Sequence, residues 1–256
     1  FTACSARLTV FVLVGTTFFG SHAGNVVFGM YVLSIALVIV IGLLLRSTLW
    51  RTMGTEALVI DLPAYSLPTA RQLGLMTWAR VSAFVRTAGG IIVVTVVAVW
   101  ALSTIPAPGS GQDLGSVPVE DSMFAASARA MTPVFGPAGF EDWHATSALM
   151  VGFVAKEAVI SSWAQTYAAE EPAAPSDPGD LGSHLRRDFA ASSGGHTTAA
   201  VFAFLTFLLA YTPCVATWAA LAREIGRRWM FLSIAISMSS AWLLAVAAFQ
   251  VGRLVS

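Results

Sequence analysis

Apolar stretches recur along the chain at lengths close to the roughly 20 residues that span a bilayer. The first, about Ala3 to Gly20, opens amphipathically, because Cys4, Ser5 and Arg7 precede the apolar run Val10–Gly20. After a short turn at Ser21–Asn25, Val26–Leu45 is uncharged throughout and is stopped by Arg46 and Arg51, which predicts a scaffold helix that crosses. Prolines 63 and 68 exclude regular helix over Asp61–Pro68 and predict an extended segment. In Ala70–Thr87, Leu73, Met76, Val81, Phe84 and Val85 share the segment with Arg71, Arg80 and Arg86, the profile of a helix lying in the membrane interface. Its arginines predict the cytoplasmic side.

Gly90–Ile105 is β-branched and apolar, and ends at Pro106. A loop rich in Pro, Gly and Ser follows to Val119, with a short helix around Asp121–Met131. One Arg and no Lys lie between Pro106 and Asp142, which suits the outer face. Trp143 and His144 begin the next apolar element, running to about Tyr167 with Lys156 and Glu157 at its middle. Ala168–Gly195 is polar, carries three prolines, and predicts a mobile linker. Thr197–Ala222 and Trp229–Val251 close the chain, joined by the turn Arg223–Arg228.

The expected fold is therefore all-α: a polytopic helical membrane protein with five or six transmembrane or re-entrant elements, one broken helix and an interfacial amphipathic helix. Its units are a helix pair over 1–48, an extended segment with the interfacial helix over 49–88, and a membrane region with an external loop over 89–167. A flexible polar linker over 168–196 and a helix pair over 197–256 complete it. Counting sides exposes a conflict. If each element before Arg223 crosses once, the arginine-rich turn at Arg223–Arg228 falls outside, against the positive-inside tendency. Either the 143–167 element is re-entrant around Lys156–Glu157, or 197–222 is two half-helices meeting at Pro213, or the turn is outside with its charges paired locally.

Composition agrees with a membrane protein: of 256 residues, 56% are hydrophobic and 11% charged, against roughly 25% charged in an average soluble domain. Formal net charge is zero and the arginines are scattered, so no clustered basic face exists for nucleic acid. The two cysteines lie far apart without CxxC spacing, so they read as free thiols rather than a disulfide framework or zinc site. The chain opens at Phe1 with no basic n-region or cleavage site, and is expected to be a piece of something longer.

Candidate chemistry concentrates where apolar helices are interrupted. Val201–Ala222 is apolar except for Tyr211, Thr212, Pro213, Cys214 and Thr217. Proline removes a donor and clashes with the preceding turn, so this helix must break, and its freed carbonyls need a protein, water or ion partner. Discontinuous helices at membrane depth often mark a transport site. Glu157 lies deep in an apolar run and costs roughly 2.5 kcal/mol or more at the bilayer centre, so it should face a partner or a water-filled cavity. Adjacent Lys156 is poorly placed to be that partner, because neighbours on a helix point about 100° apart. The alternative is a structural pairing with an arginine elsewhere. Cys214 and the unwound carbonyls at Pro213 together suit a cation, although cysteine is also a common small buried hydrophobe. Thiolate, carboxylate and carbonyl ligands are compatible with Fe(II). Histidines 22, 184 and 196 read as solvated and His144 as interfacial, with no HExxH spacing.

Four motifs occur in order: Cys4-Ser-Ala-Arg-Leu8, Asp61-Leu-Pro-Ala-Tyr-Ser-Leu-Pro68, Gly152-Phe-Val-Ala-Lys-Glu157, and Thr212-Pro-Cys-Val-Ala-Thr217 followed by Arg223-Glu224. Together they resemble the C-terminal membrane region of FeoB-type ferrous iron transporters over nearly the whole chain. The resemblance implies part of a bacterial inner-membrane, multi-pass Fe(II) importer, with 89–167 as a Gate-like region. It implies Cys4, Cys214 and Glu157 as pathway or metal-contacting residues, supported by Ser5, Arg7, Lys156, Thr212, Pro213, Thr217 and Glu224. Fe(II) is then substrate, with no catalytic set, no bound cofactor and no GTP site here, since GxxxxGK[ST] does not occur. The implied partners are the bilayer, an N-terminal G domain and first Gate repeat outside this sequence, small accessory Feo proteins and further copies of the chain; nucleic acid is not among them. Two departures stand out: the family's SARLPVY is here Ser5-Ala-Arg-Leu-Thr-Val-Phe11, which leaves the helix start straighter, and its Glu before Leu-Pro is Asp61. The competing readings are a Gate-repeat transporter of a nucleoside, another small solute or another divalent metal, a membrane enzyme using Glu157 as base, and an inert fragment of a split gene.

Overall fold

The computed structural model of the chain describes residues 4–48, 67–108, 117–156 and 158–255, and among these every regular element is a helix. Helix α1 (Ser5–Phe19) and α2 (Ala23–Thr48) are joined by a 3-10 turn at Gly20–His22, where Gly20 takes φ 52°, a conformation L residues avoid. The extended segment expected from Asp61 lies outside the described residues up to Ser66. Helix α3 then runs unbroken from Ala70 to Thr104, so the expected interfacial helix and the following apolar element are one. Gly89-Gly90 weakens the helix by only about 1 kcal/mol per glycine and removes no donor, which is too little to end it. A short helix α4 (Met123–Met131) follows, capped by the Ser122 hydroxyl, which accepts from the Ala125 N–H.

The 143–167 element is not continuous. It consists of α5 (Trp143–Val154) and α6 (Ala158–Thr166), which fold back on one another as a hairpin around Lys156. The expected flexible linker instead carries helix α7 (Gly179–Ser192), whose Leu181, Leu185 and Phe189 form a buried stripe at four-residue spacing. The helical run after it breaks where proline requires: α8 (Thr197–Ala210) ends before Tyr211–Cys214, and α9 (Val215–Glu224) follows. The last helix, α10 (Arg227–Val255), returns antiparallel along α8, with Gly252 packed on Ala199.

Helix α8 holds the centre. It carries no charge, and nearly all of Ala199–Ala210 is buried beneath α1, α2, α7 and α10, as expected of a helix apolar on every side. Phe204 meets Phe140, Trp163 and Phe189 at centroid distances of 5.5 Å, and Phe207 meets Phe135 at 5.2 Å. The molecule has two distinguishable ends. At one, Arg186 of α7 donates to the Thr17 carbonyl at 2.8 Å, and Phe18 packs edge-on to Phe189. At the other, the starts of α1, the α5–α6 turn and the end of α8 converge on Tyr211. Two helical runs are long and apolar enough to cross a membrane, Ser5–Thr48 with its bend and Arg227–Val255; α7 and α8 pass together but are bent by 105°.

The hairpin depends on Gly152. A Cβ there would stand 2.5 Å from Val159 Cγ2 and 2.7 Å from the Tyr211 hydroxyl, so no side chain fits between α5, α6 and the end of α8. Gly152→Ala should destabilise the protein by about 1–3 kcal/mol, the usual range for overpacking, read as a lowered thermal midpoint in detergent. Gly24→Ala, a helical position where nothing lies within 4 Å, should leave that midpoint unchanged or raise it slightly.

Candidate functional site

In an unbroken helix the Tyr211 carbonyl would accept the N–H of residue 215. Here the chain is extended from Tyr211 to Cys214, and that carbonyl is taken instead by Arg7, whose Nη2 donates at 3.2 Å. Arg7 is only 3% exposed. Position 7 sits in the first turn of α1, so one side chain ties the start of α1 to the end of α8, nearly the whole length of the chain away. Lys156 reaches the same residue from the α5–α6 turn. It is 3% exposed, its Nζ lies 4.4 Å from the Tyr211 ring centroid, and no hydrogen-bond partner occurs among the described residues. A cation over an aromatic face gains about 2 kcal/mol when desolvated.

Both cysteines occupy equivalent positions. Cys4 is the N-cap of α1 and Cys214 the N-cap of α9. The Cys4 carbonyl accepts from Arg7 and Leu8, and that of Cys214 from Thr217 and Trp218. Each therefore stands at the positive end of a helix, which favours negative charge. Arg7 and Lys156 both lie within electrostatic reach of Cys4 and Cys214 and of one another. The Cys214 sulfur is 3.4 Å from Thr217 Oγ1, and the buried Thr212 hydroxyl accepts from Trp218 Nε1 at 2.9 Å.

The structure thus gathers Cys4, Arg7, Lys156, Thr212, Pro213, Cys214 and Thr217 around one break. Ser5 is exposed at the first residue of α1, and Glu224 is exposed at the far end of α9, away from the break. Glu157 lies outside the described residues. Thr9, where the family pattern has proline, lets α1 begin directly after Cys4, its hydroxyl donating to the Ala6 carbonyl. Tyr211 and Trp218 were not singled out by sequence, although the polar Tyr211-Thr212 pair within an apolar run marked the place.

Beside the break, between α4, α5, α8 and α10, lies a cavity of about 390 Å³ lined by Met131, Met150, Met238, Phe135, Phe153 and Tyr211 among others. At the other end of α5 the histidines differ from expectation. His144 and His184 are half-buried and both stack on Tyr167, at 3.9 and 5.2 Å. Asp142 precedes α5 and caps it by accepting the Ala145 N–H at 2.8 Å; burial pushes its carboxyl up to about 6, and the Asp188 charge adds to the rise.

An all-α membrane bundle with a helical hairpin and a broken helix meeting at one buried point defines the class, and comparison with known families agrees. The Gate family, described as nucleoside recognition, matches residues 85–228, more than half of the chain, and the ferrous iron transport protein B C terminus matches residues 27–80. The chain belongs to the Gate family and corresponds to the C-terminal membrane region of FeoB-type transporters. Its relatives include the Fe(2+) transporter FeoB of Methanocaldococcus jannaschii, 33% identical over 255 residues, covering 98% of this chain and 36% of that protein. A Porphyromonas gingivalis protein named as an Fe(2+) transport protein A/FeoB fusion is 30% identical, covering 98% and 33%. The Salmonella typhimurium Fe(2+) transporter FeoB is 32% identical, covering 98% and 37%. The chain thus spans about a third of the length of these relatives. No solved structure matches it.

Replacing Arg7 with methionine should cost about 1.5–3 kcal/mol, the value of a hydrogen bond to a charged group, measured as a shift in thermal unfolding. Tyr211→Phe should not lower stability and should raise it by up to about 1–3 kcal/mol, because the buried phenol oxygen has no hydrogen-bond partner among the described residues. An Arg7 variant as stable as the parent would show that the Tyr211 carbonyl is satisfied otherwise.

Proposed function

We propose that the chain is the permease part of a ferrous iron importer, carrying Fe(II) past the break at Tyr211–Cys214. The observation that carries this reading is the pair of buried basic side chains, Arg7 and Lys156, beside two helix-capping cysteines at a proline break, in a chain whose relatives are named Fe(2+) transporters. Fe(II) brings two positive charges to a point that already holds the Arg7 guanidinium and the Lys156 amine. Its passage needs compensating anions, and Cys4, Cys214 and Glu157 are the groups that supply them. The alternative of a nucleoside is less well supported: the adjoining cavity offers only Thr146 and Tyr211 as polar lining side chains, too few for the several hydrogen bonds a nucleoside must exchange for those of water.

The arginines orient the molecule. With α5–α6 re-entrant, α2 runs to Arg46, α3 returns, and α8–α9 crosses again to Arg223–Arg228, so all the arginine-rich turns share the cytoplasmic side. The external face then carries α4, α7 and Asp142. We place the protein in a bacterial inner membrane as a multi-pass subunit or segment, powered by a G domain encoded outside this sequence. An accessory protein of the Fe(2+) transport protein A kind, fused to the P. gingivalis relative, is a natural partner.

The test is anaerobic uptake of labelled Fe(II) in cells lacking other iron importers. Cys214→Ser and Glu157→Gln in the full-length protein should each lower uptake at least tenfold at matched expression; undiminished uptake in both would remove the pathway from the break. On a Cys4→Ser, Cys214→Ser background, Asp180→Cys should react with an impermeant maleimide from outside and Arg227→Cys only after permeabilisation. The purified chain by itself should release no phosphate from GTP above background, and turnover would overturn the assignment of hydrolysis to another segment.

A further inference from the structure

A second cluster of ligand-bearing side chains stands at the opposite end of α5 from the break. Asp142, His144 and Asp188 each place one ligand atom so that all three lie within 4.8 Å of one another. Two come from the start of α5 and the third from α7, so the fold assembles the set from distant parts of the chain. His144 Nε2 is 4.0 Å from Asp188 Oδ2. That is too long for a hydrogen bond, yet within the span of two ligands sharing one ion, roughly 3.0 to 4.2 Å for bonds of about 2.1 Å. The other ring nitrogen, Nδ1, is buried and has no hydrogen-bond partner among the described residues.

The surroundings hold these groups in place, as outer-shell partners of a metal do. The imidazole is sandwiched between Trp143 at 4.0 Å and Tyr167 at 3.9 Å. Asp188 takes a side-chain hydrogen bond from Tyr167 and one from Arg187 to its Oδ1 at 3.4 Å, which fix its carboxylate beside the histidine. Arg129 lies on the Trp143 ring at 5.0 Å. Both arginines reduce the negative charge of the shell, so an ion here is held loosely.

The geometry points to a divalent-cation site at Asp142, His144 and Asp188, taking a first-row metal of the Fe(II) and Mn(II) class through two carboxylate oxygens and one imidazole nitrogen. Imidazole and carboxylate with open positions suit these metals better than a thiolate-selective ion. Three protein ligands leave the remaining positions to water, which fits a site that loads and releases. On the permease reading, on which this role rests, it collects the cargo at the outer mouth, about 18 Å along the 12-residue helix α5 from the break.

The test is Co(II) binding, by equilibrium dialysis and the visible d–d band, to the purified full-length protein carrying Cys4→Ser and Cys214→Ser, which silences thiolate binding at the break. Asp188→Asn and His144→Gln should each weaken binding about tenfold or more, at least the cost of losing an outer-shell partner, while His184→Gln, on the same aromatic stack but outside the ligand set, should bind as the parent does. The decision rests on Asp188→Asn, which is isosteric and partly exposed, with helicity checked by circular dichroism. Unchanged affinity in that variant, or no Co(II) bound before it is introduced, overturns the site. With uptake read in the protein that keeps both cysteines, intact binding without Fe(II) uptake would sink the permease reading alone, and intact uptake without binding would sink this site alone.

Discussion

The fold is organised around a carbonyl group with nowhere to go. A helix that stops inside an apolar bundle leaves up to four acceptors without intrahelical donors, and in hydrocarbon water does not supply them. Pro213 forces α8 to stop at that depth, and Arg7 answers for Tyr211. The rest follows from where that arginine must be. It pins the first turn of α1 against the end of α8, which in turn brings Cys4 to the level of Cys214. Lys156 completes the convergence by covering the Tyr211 ring from the α5–α6 turn.

Such an arrangement is expensive to assemble, since each buried charge gives up its hydration. A purely structural core would do better with apolar side chains of similar volume. Retaining two buried basic side chains beside a broken helix is the physical feature on which the proposed ion passage rests. The Gate family's description as nucleoside recognition names a scaffold, while the grouping of cations, thiols and open backbone belongs to this site.

Features written in local chemistry were legible in the sequence. Proline marked the break at 213, and the uncharged run marked α2. What eluded a linear reading was tertiary in origin. No proline or glycine lies between Phe153 and Thr166, so only the charges of Lys156 and Glu157 offered an interruption there, as one of three alternatives; the packing of Gly152 against Val159 and Tyr211 is what the sequence could not show. That same hairpin is what the proposed placement of Arg223 on the cytoplasmic side rests on. Helix α7 hid behind three prolines and a polar composition because only its Leu181, Leu185 and Phe189 stripe is buried. His144 and Asp188 were unreadable as a pair because only the fold of α7 over α5 places them side by side.

The length of α8 also sets an electrical coordinate. Its 14 residues rise about 21 Å, roughly two-thirds of a 30 Å hydrocarbon core. On the permease reading, with α8 along the membrane normal and its first turn at the outer boundary, about two-thirds of the transmembrane voltage falls across the helix before the break. A divalent ion crossing that distance would then gain about 3 kcal/mol for every 100 mV, negative inside. On that reading the resting potential itself helps to fill the break.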